Sequence, residues 1–352
     1  MSSSAPTDDG RARSPWQRRL IFQGVLLVVA FVSLYLLLPS LVEVFSSWRS
    51  LTTLNPLWAG LALVAEAASF ASAWALQRVA LRTKAWFAVA TSQLASTAFG
   101  RVIPGGGTTA AAFQVGLLRR AGIGGGRAAA VLAATGALTM GAMLALPLLS
   151  LPAILGGVAV ARSLEVTAYL GLIVLVLLLA GGAVAFAADR PLRFVARIVQ
   201  AGANSTIRRR RPISRLGDKV LLERDFIRDT LGRRWLPSVA AAIGVPLFDF
   251  AALLLALAAV GARPRPSLVL LAYVMAQLLA WIPITPGGLG FVEAGLVSTL
   301  TLAGVGAGPA GLATLFYRLL SFWLPIPVGG LAYLAFRHRY GSVPEIEADA
   351  PA

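Results

Sequence analysis

The chain has 352 residues, of which 57% are apolar and 13% charged, with a net charge of +16 and no cysteine. A soluble domain carries about a quarter charged residues, so a water-soluble globular enzyme is excluded, as are disulfides and thiolate metal sites. The single histidine, His338, lies next to the C-terminus, which excludes a histidine-based triad or haem ligand within the apolar part, and no G-x-x-x-x-G-K-[ST] run is present to bind ATP.

Residues 1–19 read as a disordered basic leader. Arg18 and Arg19 resemble a twin-Arg signal, but the apolar run 20–39 is long and no small-residue cleavage site follows it, so it reads as a retained first span. Further runs at 57–77, 127–148, 166–188, 236–260 and 309–334 approach or exceed the roughly 20 apolar residues that cross a bilayer. With 20–338 taken as a single transmembrane domain, this gives six full spans.

Charge sets the orientation. Arg11, Arg13, Arg18 and Arg19 hold the N-terminus in the cytoplasm, and span 57–77 returns to Arg78, Arg82 and Lys84. If the next segment, 85–120, crossed once, the strongly basic loop 189–235 would fall outside. A re-entrant hairpin turning at Pro104-Gly105-Gly106-Gly107 keeps it inside. Segment 267–303 is then a second hairpin, entered from the opposite face, and the C-terminus returns to the cytoplasm at Arg337 and Arg339. The charge of +16 is thus an orientation signal, and no nucleic-acid partner is expected.

The two hairpins carry one motif at an offset of 182 residues. Pro104-Gly105-Gly106 and Ala121-Gly122-Ile123-Gly124 recur as Pro286-Gly287-Gly288 and Ala303-Gly304-Val305-Gly306. Repeat one covers about 57–148 and repeat two about 239–334. Span 57–77 runs inward and its mate 239–259 outward. The expected fold is an all-α polytopic membrane protein with six spans, two re-entrant helical hairpins and an inverted-topology internal repeat, the build of a transporter with its site between the halves.

Backbone at membrane depth is tolerated only inside protein or beside a wet cavity. The outgoing hairpin arms point helix N-termini at the membrane centre, which favours an anion such as lipid phosphate. Five ionisable residues fall in membrane segments: Glu66, Arg101, Asp249, Glu293 and Arg318. Charges at that depth are costly and mark pathways or pairs. Arg101, Arg318 and the tips formed by Pro104, Gly105, Gly106, Gly107, Pro286, Gly287 and Gly288 are the candidate phosphate binders. Glu293, with Asp249 or Glu66, is the candidate holder of a cationic group or a coupling proton. Structural pairing of Arg318 with Glu293 or Asp249, or Glu293 serving a helix N-terminus, is the alternative for these residues. Gln93, Gln114 and Gln277 are expected to hydrogen-bond between helices. No metal and no cofactor is expected. Loop 189–235, with Arg208–Arg211, is expected to lie on the anionic leaflet, and 339–352 reads as a disordered tail.

The stretch Thr285-Pro-Gly-Gly-Leu-Gly-Phe-Val-Glu293, followed by Leu315-Phe-Tyr-Arg318 and Phe322-Trp-Leu-Pro325, resembles the lysylphosphatidylglycerol synthase transmembrane family. Its looser counterpart runs from Arg101 and Pro104 to Leu117-Leu-Arg-Arg120-x-Gly122. The resemblance spans roughly 20–338 and implies a bacterial inner-membrane protein, similar to the flippase-like half of multiple peptide resistance factor proteins. In two-part members this region is associated with moving an aminoacylated phospholipid, which a separate soluble domain makes. This chain is expected to lack that domain and to be no aminoacyl transferase. The resulting expectation is a lipid translocase for a phospholipid or a polyprenyl-phosphate-linked lipid. The alternative is a non-catalytic membrane subunit presenting lipid to a separate glycosyltransferase or synthase docked on 189–235.

Overall fold

The structure, a computed structural model, describes residues 53–103, 106–150, 234–280 and 289–341, with isolated positions between 173 and 225. Span 20–39, nearly all of 166–188 and of the loop 189–235, the leader and the tail beyond 341 lie outside the described residues, as do Pro104, Gly105, Pro286, Gly287 and Gly288.

Every regular element among the described residues is helical: α1 (Pro56–Leu81), α2 (Trp86–Val102), α3 (Gly106–Arg120), α4 (Gly125–Ala145), α5 (Trp235–Ala259), α6 (Pro266–Ala280), α7 (Phe291–Leu302), α8 (Ala307–Arg318) and α9 (Pro325–Tyr340). A 3-10 turn, Leu146–Ser150, follows α4, and a π-helical turn, Leu319–Trp323, joins α8 to α9. Local chemistry sets the ends. The Asn55 side chain accepts from Leu57 N at 3.1 Å, and Pro56 opens α1, where its missing N–H costs nothing.

Among the described residues, four segments are long and apolar enough to cross a membrane: Pro56–Leu81, Gly125–Leu149, Trp235–Ala259 and Ala307–Tyr340. Large apolar side chains such as Leu57, Val64, Leu236 and Leu331 face outward, as a lipid solvent allows and water does not.

The duplication is written into the hydrogen bonds. Ala121, Gly122 and Ile123 donate to the carbonyls of Leu117, Arg119 and Leu118. Ala303, Gly304 and Val305 donate to those of Thr299, Thr301 and Leu300, the same pattern 182 residues on. Gly122 and Gly304 both take positive φ, 86° and 90°, which ends α3 and α7 alike. The packing repeats too: α2 on α3 and α6 on α7, α3 on α4 and α7 on α8, and α1 on α4 and α5 on α8. Likewise α2 lies on α9 as α6 lies on the 3-10 turn after α4.

The repeat mates α1 and α5 form the most extensive helix pair. Asn55 N donates to Ala259 O at 3.0 Å and Ser69 Oγ to Val245 O at 2.9 Å, while Ser72 packs against Gly244. Positions rising along α1 meet positions falling along α5, so the two helices are antiparallel.

Helices α2 and α3 form a tight hairpin. Gly100 and Gly106 bring the two backbones together so closely that a Cβ on Gly106 would collide with the Gly100 carbonyl. The rings of Phe99 and Phe113 stack with centroids 4.7 Å apart. The span expected at 309–334 is not one regular helix. Pro325 and Pro327 have no N–H to offer carbonyls four or five residues upstream, and the chain there widens into the π turn, where Leu324 N bonds Leu319 O at 2.8 Å.

Candidate functional site

Helices α1–α6, α8 and the π turn line an open cavity of about 860 Å³. Its walls carry an unusual polar load for so apolar a chain: Glu66, Gln77, Gln93, Arg101, Gln114, Asp249, Tyr273, Gln277, Tyr317 and Arg318 all line it.

One wall is acidic. The Oδ2 of Asp249 accepts from Tyr273 Oη at 2.7 Å and from Gln277 Nε2 at 2.8 Å. The Tyr317 hydroxyl stands 2.9 Å from Oδ1 and 3.0 Å from Oδ2. Three donors from α6 and α8 therefore hold one carboxyl of α5. Glu66 arrives from α1 and lines the same cavity as Asp249. They meet because α1 and α5 are antiparallel: Ser69 pairs with the carbonyl of Val245, so one turn earlier on α1 comes level with one turn later on α5.

A second wall is basic. The Arg101 guanidinium, at the end of α2, donates to Phe322 O at 2.8 Å and to Ser321 O at 2.5 Å. Pro325 leaves the Ser321 carbonyl without its helical partner, and Arg101 supplies one. The ring of Phe322 is within cation–π reach of two guanidiniums, 5.3 Å from Arg101 and 4.4 Å from Arg318. Among the described residues no carboxylate stands within ion-pair distance of Arg101.

Arg318 is held differently. Its Nε donates to Glu293 Oε1 at 2.6 Å, and Glu293 Oε2 accepts from Gly290 N at 2.7 Å. Glu293 thus caps the start of α7 by accepting from the Gly290 N–H, and it pairs with a buried arginine of α8. It does not line the cavity. Of the candidate residues, Glu66, Arg101, Gly107, Asp249 and Arg318 meet on one surface, Gly106 serves the α2–α3 crossing, and Glu293 stands behind Arg318.

The glutamines join helices. Gln114 Nε2 donates to Gln77 Oε1 at 2.9 Å across α3 and α1, and Ser96 Oγ meets Gln114 Oε1 at 3.3 Å. Gln277 serves Asp249. Sequence reasoning missed Tyr273, Tyr317 and Gln77. A signal existed for the first: Tyr273 and Gln277 are one helical turn apart on an otherwise apolar helix and share one face.

The lysylphosphatidylglycerol synthase TM region family matches residues 22–329, most of the chain. The chain belongs to this family. It is also 37% identical over 57 residues to a UPF0104 membrane protein of Methanothermobacter thermautotrophicus, a match covering 16% of this chain and 17% of the relative's own length. No solved structure matches it. The family stretch takes in all the described cavity-lining residues, from Glu66 to Phe322, so the polar chamber lies wholly within the matched part of the chain.

Proposed function

We propose that this chain is a lipid translocase of the bacterial inner membrane, carrying a phosphate-bearing headgroup through the polar cavity while the acyl chains stay in lipid. The observation that carries the reading is the cavity of about 860 Å³ lined by helices of both halves, with an anchored arginine and two carboxyls in its lining. A phosphate would meet Arg101 and Arg318; Arg101 spends part of its five-donor fork on two carbonyls and keeps the rest for a ligand. An amine or a proton would meet Glu66 and Asp249.

Antiparallel α1 and α5 support an inverted repeat, with both termini cytoplasmic, six spans, and the two helical hairpins re-entrant from opposite faces. Exchange between two arrangements of the halves then gives alternating access. On this reading the chain does no aminoacyl transfer, the basic loop 189–235 rests on the anionic leaflet, and no cofactor takes part.

The test is reconstitution of the purified chain in liposomes holding fluorescent phosphatidylglycerol or phosphatidylethanolamine, with chemical quenching of the outer leaflet. The reading expects label to become accessible with the wild-type chain and not with Arg101→Ala. Movement that appears only when a synthase or glycosyltransferase is added favours the presenting-subunit reading. Covalent change of the lipid, followed by mass spectrometry, would make the chain an enzyme and end both.

A further inference from the structure

We infer that Glu66 and Asp249 form a shared-proton site opening onto the cavity, and that a proton is the coupling ion of translocation. The second half rests on the translocase reading; the first stands without it.

Glu66 is 6% exposed, and its Oε2 is buried without a hydrogen-bond donor in reach. It nevertheless lines the same cavity as Asp249, about one helical turn along the α1–α5 contact from the Ser69–Val245 bond, and an ionised carboxylate only accepts. Two acceptors brought together in a buried place repel. One proton between them turns repulsion into a hydrogen bond.

The surroundings select a proton over other cations. Tyr273 from α6, Tyr317 from α8 and Gln277 from α6 already direct three donors at the Asp249 oxygens. A bound metal cation takes several oxygen ligands; here the Asp249 oxygens already hold three donors, and among the described residues no group of three or more acidic, histidine or cysteine side chains is present to hold one. The charged side chains that line the cavity with the pair are Arg101 from α2 and Arg318 from α8. Arg101 is tied to Ser321 O and Phe322 O, and Arg318 to Glu293, so neither guanidinium ion-pairs with Glu66. From α3 and α4 the cavity receives Gln114 and Thr135, which do not titrate.

The site also lies where movement would be felt. Glu66 belongs to the first repeat and Asp249 to the second, on the helices that join the halves. Rocking one half against the other changes the separation of the carboxyls, and so the hold on the proton. One arrangement keeps it and the other releases it into the cavity.

Two measurements on the full-length chain test this. Infrared difference spectroscopy of purified protein at neutral pH is expected to show a protonated carboxyl C=O band, lost in Glu66→Gln and in Asp249→Asn and retained in Glu66→Asp. Absence of that band in the wild type overturns the proposal whatever the lipid does. In liposomes loaded with a pH dye, a one-unit pH difference is expected to shift the lipid leaflet ratio by up to about tenfold for one proton per lipid, since one unit is a factor of ten in driving force. Proton flux should accompany the lipid and vanish in Glu66→Gln that elutes as a single species. A leaflet ratio that follows a sodium gradient, or that ignores the pH difference while lipid still moves, refutes the coupling. No lipid movement at all, with the band present, refutes the translocase reading and with it the coupling, and leaves the shared proton.

Discussion

Glu293→Ala removes a carboxylate that holds two groups at once. Arg318 is 8% exposed, and its Nε loses a partner at 2.6 Å. Breaking a buried ion pair from one side costs about 3–5 kcal/mol, because the remaining charge stays buried. The Glu293 side chain is 21% exposed, so water relieves part of this, and the lower half of that range applies. Gly290 N also loses its capping acceptor at 2.7 Å, worth about 0.5–1 kcal/mol. The Phe322 face at 4.4 Å keeps some hold on the guanidinium. The expected total is about 3 kcal/mol. Replacing both partners, as Glu293→Leu with Arg318→Met, removes the stranded charge and is expected to cost less than Glu293→Ala alone. The assay is equilibrium unfolding in mixed micelles, read from the fluorescence of the eight tryptophans, arranged as a double-mutant cycle. A single-variant cost under about 1 kcal/mol, or a double variant whose loss equals the sum of the singles, refutes the clasp. On sequence grounds alone, Glu293→Ala is expected to stop lipid movement with expression intact. The ion pair and the cap change that expectation: destabilisation comes first.

Arg101→Lys is expected to fail where a charge-only role would be rescued, because an ammonium cannot present a planar fork to both Ser321 O and Phe322 O; liposome transport with Arg101, Lys and Ala side by side reads this out. Gly329→Val should destabilise the α2–α9 contact, since a side chain there meets the Leu94 carbonyl and the Ala98 methyl; a fall in unfolding temperature of several degrees is expected, and an unchanged one would count against that packing. Because the chain has no cysteine, single cysteines next to Arg120 and Gly304 can be labelled without background. The inverted repeat expects opposite compartments for the two, and a shared compartment rules it out.

Much of the helical plan is legible in the order of the residues. The runs 57–77, 127–148 and 236–260 reappear as α1, α4 and α5 with ends moved by a few residues, because an apolar run bounded by Arg, Gly and Pro has few other ways to satisfy its backbone. The repeated Ala-Gly-x-Gly motif is legible for the same reason: positive φ at Gly122 and Gly304 is a local demand. The π turn is half legible, since Pro325 and Pro327 announce trouble for the carbonyls upstream without saying who answers it.

Composition and residue order were enough to settle that this chain lives in a membrane and that it is helical, and to lead one to expect a shared plan in its two halves and a handful of charges gathered inside. These follow from solvation and from short-range backbone rules. Pairing was a different matter. Glu66 and Asp249 are one position out of step under the 182-residue offset, and only the antiparallel run of α1 along α5 sets them face to face. Likewise Glu293 was free, on sequence grounds, to line a cavity or to pair with a neighbour, and the seating of α7 against α8 gave it to Arg318. Which charge meets which depends on helix direction and rotation, and those are properties of the packed bundle.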